Sequence, residues 1–284
     1  MRITLPAASQ RVARAVWRDG ERLRDAQERA IPEEAAIAFT YGGSSYAVMM
    51  ATPRDLEDFA VGFTLTEGVA SPNEIENLEI IPEKSGIELR MRLVESQERA
   101  YAERRRHLAG PTGCGLCGIE SLSEAVRELP SVANEEVFTP DEIMRAVASL
   151  PAAQSLNNET RAVHAAAFWK RGQALVALRE DVGRHNALDK LAGALARSAQ
   201  PAGEGIVIVT SRLSVEMIQK AAMIGAPLIV AVSAPTALAL RAAEDAGITV
   251  AAIARGDGFE IFTHPERIVL ESPEETASVA FGSR

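Results

Sequence analysis

Three short apolar runs alternate with amphipathic helical segments in the second half of the chain, and this alternation limits the possible folds most strongly. The runs comprise residues 206–210, 228–232 and 248–253, and each is rich in valine and isoleucine. Residues 214–225 and 235–246 form the helical segments between them. Buried strands that alternate with amphipathic helices predict an α/β fold, in which helices cover both faces of a mainly parallel sheet.

The sequence divides into three regions by composition and pattern. Residues 1–30 are rich in Arg, Ala and Gln and are expected to form a mobile or weakly helical lead-in. Strand-like runs around one helical pattern predict a smaller α+β region over residues 31–110. Residues 111–284 then form the α/β domain, which is preceded by a glycine-rich loop that contains both cysteines.

Composition and charge exclude several classes of protein. The chain has 284 residues and a formal net charge of −9, and an acidic protein is a poor general binder of nucleic acid. No stretch reaches the roughly 18 apolar residues that a membrane span needs, and the N-terminal region lacks the apolar core of a signal peptide. Only two cysteines are present, which is typical of a reducing compartment. We therefore expect a soluble, cytoplasmic protein that binds neither nucleic acid nor membrane.

The two cysteines, Cys114 and Cys117, lie three positions apart in the glycine-rich loop. The reactive form of a cysteine is its thiolate, and a helix N-terminus or nearby cations lower the thiol pKa from about 8.5. Both influences are expected here, because arginines at 104–106 precede the loop and a capping-box pattern at 121–124 follows it. The flanking glycines leave the sulfur atoms uncrowded and let the loop bend. Such a loop suits a persulfide that swings between a sulfur donor and an acceptor.

Three other interpretations of the cysteine pair remain open. A structural zinc site normally has four ligands, and a second Cys-x-x-Cys pair is absent. A zinc deaminase carries His-x-Glu ahead of its cysteines, whereas the only such spacing here, His264-Pro-Glu266, follows them. A dithiol oxidoreductase usually has the pair near the start of a βαβ unit rather than after a long polar connector. The third alternative is that both cysteines are inert.

Polar residues follow each of the three buried runs, at the edge where parallel strands end and open sheets bind ligands. Ser211 and Arg212 follow the first run, residues 233–236 the second, and residues 255–258 the third. These segments are expected to initiate helices, and arginines beside helix N-termini form anion sites. Capping by serine and threonine would explain the hydroxyls but not Arg212 and Arg255 together. The chain lacks the P-loop pattern GxxxxGK[ST], so no P-loop supports a standard nucleotide enzyme.

The segment of residues 181–190 joins a predicted strand to a predicted helix. Asp189 and Lys190 are expected on the exposed face of that helix as solvated charges. Arg184 and His185 lie at the mouth of the helix, where an approaching ligand would meet them. These two residues are therefore candidates for ligand binding.

An ordered set of short motifs resembles the formate dehydrogenase accessory sulfurtransferase family, the FdhD type. The matching segments are residues 65–68, 112–118, 180–190, 211–214, 219–221, 233–236 and 263–264. They occur in the order that the family has and cover the chain from about Pro32 to Ile268. A single Cys-x-x-Cys pair is a weak signal, whereas this ordered set is specific.

The resemblance implies a particular function. Such proteins accept sulfur as a persulfide from a cysteine desulfurase and pass it to the molybdenum (or tungsten) bis(molybdopterin guanine dinucleotide) cofactor. Delivery takes place before or during insertion of the cofactor into the formate dehydrogenase catalytic subunit. The resemblance also implies a three-layer α/β fold similar to that of cytidine deaminase, and a homodimer. The cofactor is a bound substrate of such proteins, and no permanently bound metal is expected.

The same resemblance implies roles for individual residues. Cys114 is the expected persulfide carrier, and Cys117 is expected to hold or release the sulfur through a transient disulfide. The residues expected to bind the cofactor combine the family's binding stretch with the strand-end and helix-mouth residues: Ile253, Ala254, Arg255, Gly256, Asp257, Gly258, Arg212, Ser211, His185 and Arg184. The chain departs from the family's pattern at residues 158–161, which leaves the role of the nearby His164 open.

Two rival functions remain. One is a binding module, a chaperone that shelters the molybdenum cofactor and hands it to formate dehydrogenase without covalent chemistry. Such a chaperone would still work after replacement of Cys114 and Cys117. The other rival is a dithiol–disulfide reductase, which would reduce a model protein disulfide and would hold no stable persulfide.

Overall fold

The computed structural model describes residues 3–18, 21–98 and 128–269. The predicted cysteine loop, with Cys114 and Cys117, and the capping pattern that follows it lie outside these described residues. Within the described ranges, no helix is both long enough and apolar enough to cross a lipid bilayer.

Strands and helices are interspersed along the described chain. The β-strands are β1 (Ser9–Arg18), β2 (Glu21–Pro32), β3 (Ala35–Tyr41), β4 (Ser44–Ala51), β5 (Ile75–Glu83), β6 (Gly86–Leu93), β7 (His164–Lys170), β8 (Ala174–Asp181), β9 (Ile206–Val209), β10 (Leu228–Ala231), β11 (Thr249–Arg255) and β12 (Gly258–Thr263). The α-helices are α1 (Leu56–Thr66), α2 (Pro140–Ala148), α3 (Leu150–Ala153), α4 (Ser155–Thr160), α5 (Arg184–Arg197), α6 (Val215–Met223) and α7 (Ala237–Ala246). The fold is therefore mixed α/β, which confirms the predicted class at this level.

Tertiary contacts divide the chain into two compact units that interleave along the sequence. The first unit draws its described residues from Met1–Arg127, Gln154–Ala165 and Arg179–Ser198. The second unit draws them from Glu128–Ala153, Ala166–Leu178 and Ala199–Arg284. The predicted boundary near residue 110 lies outside the described residues and stays a prediction.

Residues 9–32 form an antiparallel hairpin of β1 and β2, so the expectation of a weakly helical lead-in is wrong. Val12, Arg14 and Val16 alternate along β1, and all three are at least partly buried. The next residue, Trp17, is 70 % exposed. A strand is recognised in a sequence by alternation of apolar and polar residues. Arg14 interrupts this alternation on the inward-facing side of β1, so the pattern did not predict a strand here.

A four-stranded sheet in the order β4-β3-β6-β5 forms the core of the first unit. β3 and β4 pair antiparallel across the turn Gly42-Gly43, whose φ angles of 54° and 77° favour glycine. Phe59 and Phe63 of α1 pack against Phe39 of β3, with ring centroids 4.9 Å and 3.9 Å away, respectively. The apolar residues Phe59 and Phe63 thus lie on the buried face of α1.

Helices α1 and α5 of the first unit also meet backbone to backbone. A Cβ atom on Gly62 would lie 1.7 Å from the carbonyl oxygen of Asp189, and one on Gly193 would lie 1.9 Å from that of Asp58. Only glycine fits at either position, because the neighbouring helix backbone occupies the space of a side chain. The contact fixes α5 closely against α1.

The large sheet has six strands in the order β12-β11-β10-β9-β7-β8. β9, β10 and β11 are mutually parallel, as the alternation of apolar runs and helices predicts. β7 pairs antiparallel with β9, and β12 pairs antiparallel with β11. The sheet is therefore parallel only at its centre, and the finer cytidine-deaminase-like layering stays a prediction.

In the second unit, α2 packs on the large sheet. Ile143 and Ala146 of α2 share one buried cluster with residues of four strands of the large sheet, namely Ala167, Trp169, Ile206, Ile208, Leu228, Val230, Ala251 and Ala254. Thr139 caps the start of this helix, because its hydroxyl accepts a hydrogen bond from the Glu142 N–H. In return, the Glu142 carboxylate accepts one from the Thr139 N–H at 2.9 Å, which completes a capping box.

Candidate functional site

At one edge of the large sheet, the loop that follows β9 is hydrogen-bonded to the loop that follows β10, and that second loop is hydrogen-bonded to β11 near its end. The N–H of Leu213 donates to the carbonyl of Ala234 at 3.2 Å, and the N–H of Thr236 donates to the carbonyl of Leu213 at 2.9 Å. The N–H of Ile253 in turn donates to the carbonyl of Ser233 at 3.3 Å. The three polar segments singled out in the sequence therefore form one continuous edge, called the strand-end edge below.

Helices begin after two of these loops, as predicted. α6 follows the first loop, and Thr236 caps α7 with its hydroxyl, which accepts a hydrogen bond from the Ala239 N–H at 3.2 Å. No helix follows β11, because residues 256–257 turn the chain directly into β12, where Gly258 pairs with Arg255. The expectation that Arg255 lies beside a helix N-terminus is therefore wrong: it lies at a tight hairpin turn.

Two exposed arginines and one buried serine lie along the strand-end edge. Arg212 and Arg255 are exposed, and neither side chain has an ion-pair or hydrogen-bond partner within the part of the chain that the structure describes. Ser211 is buried, and its hydroxyl donates to the carbonyl of Arg212 at 3.0 Å. Guanidinium groups bind phosphate and carboxylate through charge-assisted hydrogen bonds. The edge is thus suited to an anionic ligand.

A β-bulge interrupts the pairing of β11 with β12 just before their turn. The pairs on either side of it are Ala252–Glu260 and Arg255–Gly258. Ile253 and Ala254 therefore both lie opposite the single residue Phe259. The φ angle of Ile253 is 55°, which is in the left-handed region. Ala254 is fully buried, whereas Gly256 and Asp257 at the turn are exposed.

A second cationic group lies in the first unit, at the start of α5. The helix begins at Arg184, and Arg184 and His185 of its first turn are both half-buried. Arg184 Nε is buried and has no hydrogen-bond partner among the described residues. Burial lowers the pKa of His164, the first residue of β7, and the positive charge of Arg184 lowers it further. This helix mouth therefore holds positive charge in a partly desolvated position.

Lys190 and Asp189 are buried, so the prediction that they are solvated charges is wrong. Lys190 Nζ lies 2.6 Å from Asp181 Oδ2 and donates to the carbonyl of Thr52 at 2.8 Å. Burial lowers the pKa of Lys190, and the negative charge of Asp181 counteracts that effect. Asp189 accepts a hydrogen bond from the Thr66 hydroxyl at 2.5 Å. Each charge thus has a polar partner, which is what makes its burial possible.

Asp181 organises the turn between β8 and α5. Its Oδ1 accepts hydrogen bonds from the Gly183 N–H at 2.7 Å and from the Asn186 side-chain amide at 2.9 Å. Its Oδ2 accepts from the Thr52 N–H at 3.0 Å, in addition to the Lys190 ammonium group. Sequence reasoning missed this network, because a strand residue, a helix residue and a distant loop residue share no periodic signal.

The fold and these two cationic regions define a mixed α/β protein that is suited to an anionic ligand and that also carries one closely spaced pair of cysteines. Comparison with known proteins then identifies the family. The sequence model of the FdhD/NarQ family matches residues 32–269. The chain belongs to this family.

Relatives and one solved structure agree with that assignment. The chain is 52 % identical over 270 residues to a protein of Agrobacterium fabrum named "Sulfur carrier protein FdhD", and the match covers 94 % of this chain and 99 % of the relative. A protein of the same name from Cupriavidus necator is 47 % identical over 258 residues, which cover 90 % of this chain and 88 % of the relative. A crystal structure provisionally assigned as a formate dehydrogenase accessory protein from Desulfotalea psychrophila matches with a TM-score of 0.71 and 25 % identity, over 92 % of this chain and 100 % of that chain.

Proposed function

We propose that this protein is a sulfurtransferase that carries sulfur for the maturation of formate dehydrogenase. The observation that supports this most is the presence of the pair Cys114 and Cys117 in a chain of the FdhD/NarQ family. Relatives that are 52 % and 47 % identical to it are named sulfur carrier proteins. A cysteine thiolate is the nucleophile that such chemistry requires.

The sulfur donor in this proposal is the persulfide of a cysteine desulfurase. The thiolate of Cys114 attacks the outer sulfur atom of that persulfide. A new sulfur–sulfur bond forms, the bond to the desulfurase cysteine breaks, and that cysteine leaves as a thiolate. One sulfur–sulfur bond replaces another, so the step needs no oxidant or reductant, and its product is a persulfide on Cys114.

Cys117 releases the carried sulfur in this proposal. Its thiolate attacks the inner sulfur atom of the Cys114 persulfide, which forms a disulfide between the two cysteines and expels the outer sulfur as hydrosulfide. The cysteine pair supplies the two electrons that the departing sulfur takes up. A thiol reductant then reduces the disulfide and returns both cysteines to the starting state.

The acceptor in this proposal is the molybdenum bis(molybdopterin guanine dinucleotide) cofactor, which the protein binds as a substrate. Hydrosulfide becomes a sulfur ligand of its metal, and an oxygen ligand leaves as hydroxide. The exposed Arg212 and Arg255 suit the phosphates of this cofactor, because guanidinium groups bind phosphate well. The proposed binding set further includes Ser211 and the rest of residues 253–258 at the same edge, with Arg184 and His185 at the start of α5.

Further partners follow from this role. The client is the formate dehydrogenase catalytic subunit, which receives the sulfurated cofactor. We also propose a homodimer that works in the cytoplasm and holds no resident metal ion. In this proposal the carrier and its client share that compartment.

Intact-protein mass spectrometry tests the carrier role. The full chain and its Cys114→Ala and Cys117→Ala variants are each incubated with a cysteine desulfurase and free cysteine. We expect a reductant-sensitive gain of one sulfur atom in the full chain and in Cys117→Ala, since that variant can load sulfur but not release it. Cys114→Ala should gain none. The absence of any gain with an active desulfurase would contradict the proposal.

Activation of formate dehydrogenase in cells that lack the endogenous carrier separates the proposal from its rivals. We expect Cys114→Ala to abolish activation while the variant stays folded. If Cys114→Ala and Cys117→Ala both still activated the enzyme, a non-covalent cofactor-sheltering chaperone would describe the protein better. Reduction of a model protein disulfide without a stable persulfide would instead indicate a dithiol reductase.

A further inference from the structure

The outer face of β1 presents one large aromatic side chain among small and basic ones. Its exposed residues alternate along the strand and are Arg11, Ala13, Ala15 and Trp17. Trp17 is 70 % exposed, whereas no other large hydrophobic side chain in the described ranges exceeds 44 %. Because the two alanines are small, the indole ring supplies most of the apolar surface on this face.

The hairpin of β1 and β2 holds Trp17 on a fixed support. At the base of the hairpin, the Ser9 hydroxyl donates to the Glu159 carboxylate at 3.2 Å. The Arg29 guanidinium group donates to the carbonyl of Thr160 at 3.1 Å. Both acceptors belong to α4, so the two strands are attached to the same helix of the first unit.

An irregularity in the strand pairing lies just before Trp17. Arg14 lies opposite Gln27, whereas Val16 lies opposite Leu23, so β2 contributes extra residues between these two pairs. Bulges of this kind bend a hairpin and redirect the side chains beyond them. Val16 is only 8 % exposed. Trp17, the next residue, therefore points away from the covered side of β1.

The charge of β1 is opposite to that of the chain as a whole. β1 carries three arginines and no acidic residue, β2 has three residues of each sign, and the formal net charge of the chain is −9. A partner with an acidic surface is therefore attracted to β1 and repelled by most of the remaining surface. Tryptophan and arginine are also the residues that most often dominate the binding energy of protein interfaces. β1 precedes residues 32–269, which match the family model, so the family's shared pattern does not account for this face.

From this geometry we infer that the outer face of β1, with Trp17 as its anchor, is the surface on which the protein that donates sulfur docks. The inference rests on the proposed function, in which the donor is a protein persulfide and must bind before its sulfur is transferred. The proposed cofactor site serves delivery to the client and includes no residue of the hairpin, so the donor needs a surface of its own. The matching surface of the donor has an apolar pocket for the indole ring with carboxylates around it. Docking makes transfer to Cys114 efficient at low donor concentration and takes no part in the exchange of sulfur–sulfur bonds.

Initial rates of sulfur loading separate docking from chemistry. Intact-protein mass spectrometry follows the gain of sulfur from two donors: a cysteine desulfurase with free cysteine, and glutathione persulfide, a small molecule that needs no docking surface. Below saturation with the desulfurase, we expect Trp17→Ala to slow loading about tenfold, and its loading by glutathione persulfide should be unchanged. Trp17→Phe keeps an aromatic ring and should retain most of the rate. Met50→Ala is the matched control, since it removes a side chain that is 44 % exposed on β4 of the same unit, and it should change neither rate.

Charge reversal tests the basic character of this face. Arg11→Glu should slow loading by the desulfurase several-fold at low ionic strength. The difference from the parent chain should shrink as salt is added, because salt screens the attraction between exposed charges. Arg241→Glu makes the same charge change at an exposed residue of α7, and its effect should be clearly smaller.

Several outcomes would overturn the inference. Equal loading of Trp17→Ala and the parent chain by the desulfurase would remove the docking role and leave the carrier role intact. Equal slowing of Trp17→Ala with both donors would mean that Trp17 acts on the fold rather than on docking. If the parent chain gained sulfur from neither donor, the carrier role itself would be wrong, and the inference with it.

Two further measurements test other occupants of this face. A lower molecular mass of Trp17→Ala than of the parent chain in light scattering would show that the hairpin binds a second copy of this chain. Sedimentation of the parent chain, but not of Trp17→Ala, with vesicles of phosphatidylglycerol would show that it binds a lipid surface. Either result, together with unchanged loading by the desulfurase, would replace the donor as the partner.

Discussion

The Lys190 ammonium group and the Asp181 carboxylate form an ion pair of 2.6 Å that is wholly inaccessible to solvent. Lys190 also donates to the carbonyl of Thr52 at 2.8 Å. Desolvation offsets most of the attraction within such a pair, but removal of one partner leaves an uncompensated charge in the interior. The main contribution of the pair is therefore to position: it holds the end of β8 and the segment after β4 against α5. In this way it fixes the start of that helix.

Replacement of either member of this pair should destabilise the fold strongly. Lys190→Met leaves Asp181 buried without a cation, so we expect the free energy of unfolding to fall by about 3–5 kcal/mol. Asp181→Asn should lower the free energy of unfolding by a similar amount. One carboxylate oxygen is replaced by an amide NH2 group, which cannot accept the hydrogen bonds from Thr52 and Lys190. Urea unfolding followed by circular dichroism measures both losses.

The double variant Asp181→Asn/Lys190→Met serves as the control for this prediction. It removes both charges together, so its loss of stability should be clearly smaller than the sum of the two single losses. Losses that simply add would mean that the two side chains do not depend on each other, contrary to the geometry.

Gly62→Ala should break the contact between α1 and α5. The new Cβ would lie 1.7 Å from the Asp189 carbonyl oxygen, so one helix must move. We expect a loss of more than about 3 kcal/mol in the free energy of unfolding. Gly256→Ala is the matched control, since a Cβ there meets nothing within 4 Å, and its effect should stay within about 0.5 kcal/mol. Equal thermal stability of the two variants would rule out the backbone contact.

Glu142 should contribute to acid unfolding. Its hydrogen bonds with Arg171 are the main cause that lowers the pKa of Glu142 below its ordinary value of 4.5. As the pH falls, Glu142 therefore binds a proton in the unfolded chain before it does so in the folded protein. The stabilisation by this carboxylate is complete above the ordinary value and is lost as the pH falls through the folded-state pKa. Because Arg171 is 54 % exposed, we expect Glu142→Gln to lower the free energy of unfolding by only about 1 kcal/mol near neutral pH. The variant should also lose less of this free energy than the parent chain when the pH is lowered.

Urea unfolding at a series of pH values measures this effect, with Glu79→Gln as the control. Glu79 is 54 % exposed and lies 3.9 Å from Arg90, so its carboxylate is a solvated surface charge. Its replacement should leave the free energy of unfolding falling with decreasing pH as steeply as in the parent chain. A Glu142→Gln variant with the same steep decline would contradict the role assigned to this carboxylate.

Arg184 should influence the titration of His164. Burial is the main cause of the lowered pKa of His164, and the charge of Arg184 is the second. Arg184→Met should therefore raise the pKa of His164 towards its ordinary value of 6.5 without reaching it, because burial remains. Nuclear magnetic resonance follows the four imidazole groups of the chain, and His164→Gln assigns the signal. The exposed Arg161 supplies a control in Arg161→Met; a His164 pKa that does not move in Arg184→Met would refute the coupling.

Periodicity predicted those parts of the fold in which one face of an element is apolar. The three valine- and isoleucine-rich runs became the parallel strands β9, β10 and β11, and Phe59 and Phe63 lie on the buried side of α1. Turn and capping chemistry is equally local, so Gly42-Gly43 and Thr139 could be interpreted from a few neighbouring residues.

Features that depend on distant residues could not be predicted in this way. Lys190 was expected in water because a buried lysine needs a partner, and its partners Asp181 and Thr52 come from other elements. The anion-suited loops were predicted as a group, but Arg255 lies at a hairpin turn, since nothing in residues 255–258 alone distinguishes a turn from a helix start. The bulge at Ile253 was missed because isoleucine gives no sign of a left-handed conformation.

The first unit cannot close while only the N-terminal part of the chain has been synthesised. α1 meets its glycine-paired partner α5 only after residues up to Arg197 have left the ribosome. Domains usually fold in the order in which they are made, N-terminal first. Here one face of α1 stays uncovered until α5, which is synthesised much later, can pack against it. Nascent chains that end before α5 therefore expose the face of α1 that α5 later covers, and the earliest strands of the first unit cannot finish folding until residues up to Arg197 have been made.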